Sequence, residues 1–177
     1  VYKRQPQHTR VLIIGLTAPY TLTYPILGWR PIAPEKILPR ILKKNAGKYD
    51  VAVLLSHLGL PEDQILARKF PELDVIIGSH THHLLVHGLV INHSLLAAAE
   101  KWGHYVGRIT LNLDDQHHII DRKAEVVKTS TLPEEPEDKR EIAGYEETGE
   151  KLLARNKLAR IKTPMTTSLT GNSRLVN

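Results

Sequence analysis

Three short apolar runs organise the first half of the chain: Val11 to Gly15, Val51 to Leu55 and Val75 to Gly78. Continuous runs this short, rich in Val and Ile, predict strands buried on both faces. Between the first two, Ile37, Leu38, Ile41 and Leu42 recur at helical spacing within Pro34 to Asn45, and Gly47 supplies a stop. Pro39 lies inside that stretch, so the helix is expected to begin near it, with proline in the first turn. Between the second and third runs, Pro61 to Phe70 predicts another helix. Pro61 suits its first turn, Glu62 and Asp63 suit the positive end of its dipole, and Arg68 and Lys69 the negative end. Ile65, Leu66 and Phe70 give it an apolar face. Strand, helix, strand, helix, strand is the pattern of parallel strands joined by crossover helices.

From Leu89 the texture changes. Leu89 to Ile91, Leu95 to Ala98, Tyr105 to Leu113 and Ile119 to Val127 predict strands joined by short turns, with Gly103 and Asp114-Asp115 marking two of them. Arg108 to Leu113 alternates polar and apolar, as a half-exposed antiparallel strand does. Thr129 to Pro136 reads as a linker. Glu137 to Ile161 predicts a long helix, acidic first and basic last, weakened by Gly144 and Gly149. The expected fold class is α/β: a domain over residues 1–128, a linker over 129–136, and a helical connection with the start of a further domain over 137–177.

Composition narrows the chemistry. The chain has no cysteine, which excludes disulfides and thiolate sites, so any metal must be held by nitrogen and oxygen donors. Zinc, manganese, iron, cobalt and nickel all accept such ligands. No apolar run reaches 18 residues, so no transmembrane helix is predicted. The net charge of +5 raises the question of nucleic acid. Lys and Arg are scattered, however, and the basic stretch from Lys151 to Lys162 follows an acidic one from Glu134 to Glu150. No nucleic-acid module is evident, and none is expected as a partner.

Ten histidines are present, and seven fall between His57 and His104. In parallel α/β sheets, binding residues gather beyond the carboxyl ends of the strands. Ser56-His57-Leu58-Gly59 follows the second run, and Ser79-His80-Thr81-His82-His83 follows the third. Residues i and i+2 of an extended segment share a side, so His80 and His82 are expected to converge, with His57 joining them. Gly78 is expected to let the backbone turn sharply. A lone histidine at a strand end is ordinarily a surface group or a satisfied core group; two such sites on neighbouring strands favour a metal site at His57, His80 and His82. His83 and His87 read as bystanders, His93 and His104 as surface groups, and His8, His117 and His118 as solvent-facing. Tyr20, Tyr24 and Trp29 read as packing or turn residues.

Val53-Leu54-Leu55-Ser56-His57-Leu58-Gly59 and Asp74-Val75-Ile76-Ile77-Gly78-Ser79-His80-Thr81-His82 resemble the last two metal-binding motifs of the calcineurin-like metallophosphoesterases, in their bacterial 5'-nucleotidase and 2',3'-cyclic-nucleotide phosphodiesterase branch. Gly15 to Pro19 and Ala97 to Gly107 add to the likeness, which runs from about Arg10 to Leu113. The resemblance implies a partial α/β sandwich and a hydrolase using two divalent metal ions on a nucleotide or other phosphate ester. By that likeness His57 and His80 bind one ion and His82 the other. Ser79 stands where many members have glycine. The family's Asp-x-His, Gly-Asp and Asn-His motifs have no match here, so the chain is expected to be an inactive fragment with no catalytic residue of its own. The stretch after Pro136 would then lead into a truncated C-terminal 5'-nucleotidase domain. Two other readings stand beside this one: a single-zinc hydrolase or lyase with three His ligands, and a non-enzymatic basic binding module.

Overall fold

Val11–Thr17 (β1), Val51–His57 (β2) and Val75–Gly78 (β3) pair in parallel, with Thr17 opposite His57 and Ser56 opposite Gly78. These pairings come from a computed structural model that describes residues 9–154. The chain divides into two units after Leu132. In the first unit, the crossovers are α1 (Pro34–Asn45) and α2 (Leu60–Lys69). A short hairpin follows, β4 (Leu89–Ile91) and β5 (Ser94–Ala97), and β5 lies parallel to β3. The five-stranded order is therefore β1-β2-β3-β5-β4. The sequence pattern suggested antiparallel strands throughout this region. Instead β5 extends the parallel sheet, and only its partner β4 runs the other way. β6 (Tyr105–Leu113) and β7 (Ile119–Lys128) form a separate antiparallel ribbon, with the expected turn at Asp114. Asp114 secures that turn by accepting hydrogen bonds from the Gln116 and His118 amides at 2.9 and 2.8 Å.

One expectation about the strands is corrected. They are not buried on both faces. Ile14, Leu54, Ala52 and Ile76 pack with Leu38 and Leu42 of α1 and Leu66 and Ala67 of α2. On the opposite face Ile13, Leu55 and Ile77 are 40 to 45 % exposed. The apolar runs are continuous because both faces are apolar, yet only one is covered among the described residues. This alternation matters for the site. Ser56 shares the covered face, and His57 shares the open one.

The helices also depart in detail. α1 begins at Pro34, and Pro39 sits inside it rather than in its first turn. Pro34 already presets φ at the start; Pro39 then forgoes one backbone hydrogen bond, which the burial of Leu38 and Leu42 outweighs. In α2 the buried residues are Asp63, Leu66 and Ala67, while Ile65 is exposed. His117 is half-buried, with Nδ1 3.0 Å from Thr9 Oγ1, rather than solvent-facing; His8 lies outside the described residues.

The second unit contains α3 (Pro136–Ala154). Its described side chains face solvent, so it has no buried stripe of its own. Pairs one turn apart support it: Lys151 with Glu147 at 2.5 Å and Tyr145 with Glu141 at 3.1 Å. The predicted continuation to Ile161, and the polar stretch from residue 163, lie outside the described residues. Among those described, no helix is long and apolar enough to cross a membrane.

Candidate metal centre

His57 closes β2 on the open face of the sheet, and His80 follows β3 by two residues. Their rings come together, with centroids 5.0 Å apart and planes inclined at 60°. Two imidazoles sharing one tetrahedral ion would lie about 5 Å apart, given metal–nitrogen bonds of about 2.0–2.1 Å. The pair thus has the donor type and spacing for half the shell of a divalent ion. His57 borders an open hollow of about 500 Å³, walled also by Leu16, Thr17, Leu55, Ile77 and Ser79.

His82 does not join them. Among the described residues, no group of three or more His, Asp or Glu side chains is placed to hold a metal ion. The physical reason lies in the backbone. His80 and His82 have φ of 71° and 55°, both in the left-handed region. The segment is not extended, so side-chain alternation does not govern it. Left-handed conformations in non-glycine residues cost of order 1–3 kcal/mol and persist where surrounding structure holds them. Here the holding is visible. Thr81 Oγ1 accepts from the Leu60 amide at 3.1 Å and lies 2.8 Å from His83 Nδ1. Gly59, with φ of 101°, lets the β2–α2 turn close on this loop. A Cβ there would sit 2.9 Å from Thr81 Cγ2 and 3.6 Å from His80 Cδ2.

Beneath the two loops lies Asp63. It is 1 % exposed and accepts a hydrogen bond from the Ser56 hydroxyl. Ser56 Oγ in turn accepts from the Leu58 amide at 3.3 Å. A Cβ on Gly78 would lie 2.5 Å from Asp63 Oδ2. One carboxyl therefore touches the residue before His57 and the glycine two before His80. Gly78 was expected to permit a turn. Its φ is not in the left-handed region, and its actual role is to leave room for Asp63. In the sequence, Asp63 has the position of a helix-dipole residue in the first turn of α2. The overlooked signal was its spacing: Asp63, Leu66, Ala67 and Phe70 fall on one helical stripe, which places the acid on the apolar side.

Burial pushes the Asp63 carboxyl above its ordinary range, opposed by the hydrogen bond from Ser56. The native state then binds the proton more tightly than the unfolded state does. Its contribution to stability is therefore full at low pH and falls as pH rises through the raised value. Asp63→Asn removes this dependence while keeping an oxygen for Ser56. The variant should gain melting temperature relative to the parent between about pH 4 and about pH 7. A difference that stays flat over that range rules the explanation out.

Three further histidines have partners of their own. His93 Nε2 contacts the Pro71 carbonyl, His104 Nδ1 lies 3.2 Å from Glu100, and His118 Nδ1 lies 3.1 Å from Asp114. Tyr20 was missed as a neighbour of the site. Its hydroxyl lies 3.4 Å from His80 Nδ1, and nothing in its sequence context signals that approach.

Comparison with known proteins agrees with this architecture. No family model matches the chain. Over 118 residues it is 42 % identical to the metallophosphoesterase YunD of Bacillus subtilis, covering 67 % of this chain and 26 % of that protein. An apyrase of Anopheles gambiae is 33 % identical over 131 residues, covering 60 % of this chain and 22 % of the apyrase. The chain thus spans about a quarter of the length of these relatives. Among solved structures, the 5'-nucleotidase precursor of Thermus thermophilus superposes with a TM-score of 0.69 at 26 % identity, over 82 % of this chain and 33 % of that one. The chain belongs to the calcineurin-like metallophosphoesterases, in their 5'-nucleotidase branch.

Proposed function

We propose that the protein containing this chain hydrolyses nucleotide phosphate esters with two divalent metal ions. In this reading His57 and His80 serve one ion and His82 the other. The observation that carries it is the His57–His80 pair, brought to 5.0 Å at the carboxyl edge of adjacent parallel strands. When bound, such ions supply Lewis acidity toward a water and toward the phosphoryl oxygens. The chain's own contribution is positional. Neutral imidazoles present nitrogen lone pairs; Ser56 and Asp63 fix the His57 strand end; Gly59 and Thr81 brace the His80 loop. The names of the relatives, apyrase and 5'-nucleotidase, point to nucleotides as the substrate class. A single zinc held by three histidines finds no support, because His82 stands outside the pair among the described residues. We read α3 as a connector to a further domain.

The intact gene product should release phosphate from AMP, and a chelator should abolish the activity. The 177-residue chain alone should not turn over. Its paired imidazoles carry no negative charge to offset two dications. Robust hydrolysis by the purified 177-residue chain would overturn the division of labour proposed here.

A further inference from the structure

The buried carboxyl of Asp63 has one oxygen with a protein partner and one without. Oδ1 accepts from the Ser56 hydroxyl, and no protein donor reaches Oδ2 among the described residues. The residue is nonetheless 1 % exposed. Leaving a buried oxygen unpaired is costly, so such groups are ordinarily satisfied by protein or by ordered water.

Oδ2 lies on the side of Gly78, 2.5 Å from where a Cβ would stand. Gly78 and Asp63 both border a small cavity of about 10 Å³ between the first turn of α2 and the His80 loop. Leu60, Ser79, Thr81 and His83 also line it. A cavity of that size holds one water, which needs two to four polar partners. Thr81 Oγ1 is already engaged by the Leu60 amide at 3.1 Å and His83 Nδ1 at 2.8 Å. Asp63 Oδ2 and the Ser79 hydroxyl, by contrast, have no protein partner among the described residues. Ser79 also walls the hollow that His57 borders, so it stands between the buried acid and the candidate metal centre.

We infer that one ordered water occupies this cavity and bridges Asp63 Oδ2 to Ser79, tying the start of the His80 loop to α2. The water site stands on its own; its value for positioning a metal donor rests on the phosphoesterase reading. Water suits the cavity better than a cation. Burial favours the protonated carboxyl, which works against a cation, while water can donate to it or accept from it. An occupied cavity also leaves the carboxyl no room to move away from Gly78. Ser79, where many family members have glycine, is then a positioning residue that acts through His80.

A crystal structure of the intact gene product should show one ordered water within about 2.5–3.2 Å of both Asp63 Oδ2 and Ser79. An empty cavity, or a water that misses either residue, overturns the inference. Manganese affinity is measured in parallel by calorimetry, and AMP hydrolysis at saturating manganese. Ser79→Ala should weaken manganese about fivefold, as expected for one lost hydrogen bond. It should leave kcat and KM for AMP unchanged once the metal is saturating. Ser79→Thr, which keeps the hydroxyl, should restore the affinity. Parental manganese affinity in Ser79→Ala overturns the positioning role. So does a changed KM for AMP at saturating metal, which would place Ser79 against the substrate instead. If the parent protein binds no manganese, the phosphoesterase reading fails, and the crystal structure still decides whether the water bridge exists.

Discussion

If the proposed metal centre is right, replacing His57 or His80 by alanine in the intact protein should lower phosphate-ester hydrolysis at least about a hundredfold, the scale on which groups that merely support metal ligands already act. The parallel sheet brings the two rings to a centroid separation of 5.0 Å, a spacing that one ion could bridge. In the proposed centre, loss of either would remove a nitrogen ligand and leave the other imidazole without its partner. Metal content should fall with activity in both variants. His82→Ala should also lower the rate by orders of magnitude, through the second ion. His87→Ala serves as the control: it is exposed, stands outside the pair, and should leave both activity and metal content intact. Full activity in His57→Ala would remove that residue from the site.

Gly78→Ala is expected to be the most damaging small substitution in the sheet. The new methyl would meet Asp63 Oδ2 at 2.5 Å. Asp63 is fully buried and already tied to Ser56, so it has nowhere to withdraw. Overpacking of this sort costs about 1–3 kcal/mol, and displacing the carboxyl from Ser56 adds an unsatisfied polar group worth about 1–3 kcal/mol more. A double-mutant cycle tests the cause. Asp63→Ala removes the group in collision, so the Gly78→Ala/Asp63→Ala pair should be less destabilised than the sum of the single variants. Strict additivity in denaturant unfolding would show that the clash lies elsewhere. Because the same carboxyl touches both histidine-bearing loops, Gly78→Ala should also loosen the His57–His80 pair and weaken metal binding.

The elements of the sheet were legible because apolar clustering reports them directly. The runs at Val11, Val51 and Val75 became β1, β2 and β3, and both crossover helices lie where helical spacing put them. The position of β5 was not legible. Leu95, Leu96 and Ala97 pair with β3 residues twenty positions earlier, and no local pattern in Ser94–Ala97 reports that partner. The start of α1 was misplaced because Pro39 looked like an N-terminal residue, while tertiary burial of Leu38 and Leu42 holds the helix through it.

The candidate site was legible in part. Parallel strands with histidines at their carboxyl ends predicted a shared edge for His57 and His80, whose ring centroids lie 5.0 Å apart. The loop conformation was not legible. Left-handed φ at His80 and His82 depends on Gly59 and Thr81, which act across twenty residues of sequence. Asp63 was visible in its spacing and hidden by its chemistry. An acid in the first turn of a helix has an adequate local explanation, and only the packed structure shows it beneath the sheet.

Anomalous diffraction from crystals of the intact protein loaded with manganese tests the central claim most directly. The account predicts a manganese peak within bonding distance of a ring nitrogen of both His57 and His80, about 2.0–2.3 Å. Manganese bound away from these two imidazoles, or the two rings turned to separate surroundings in the loaded protein, would contradict it.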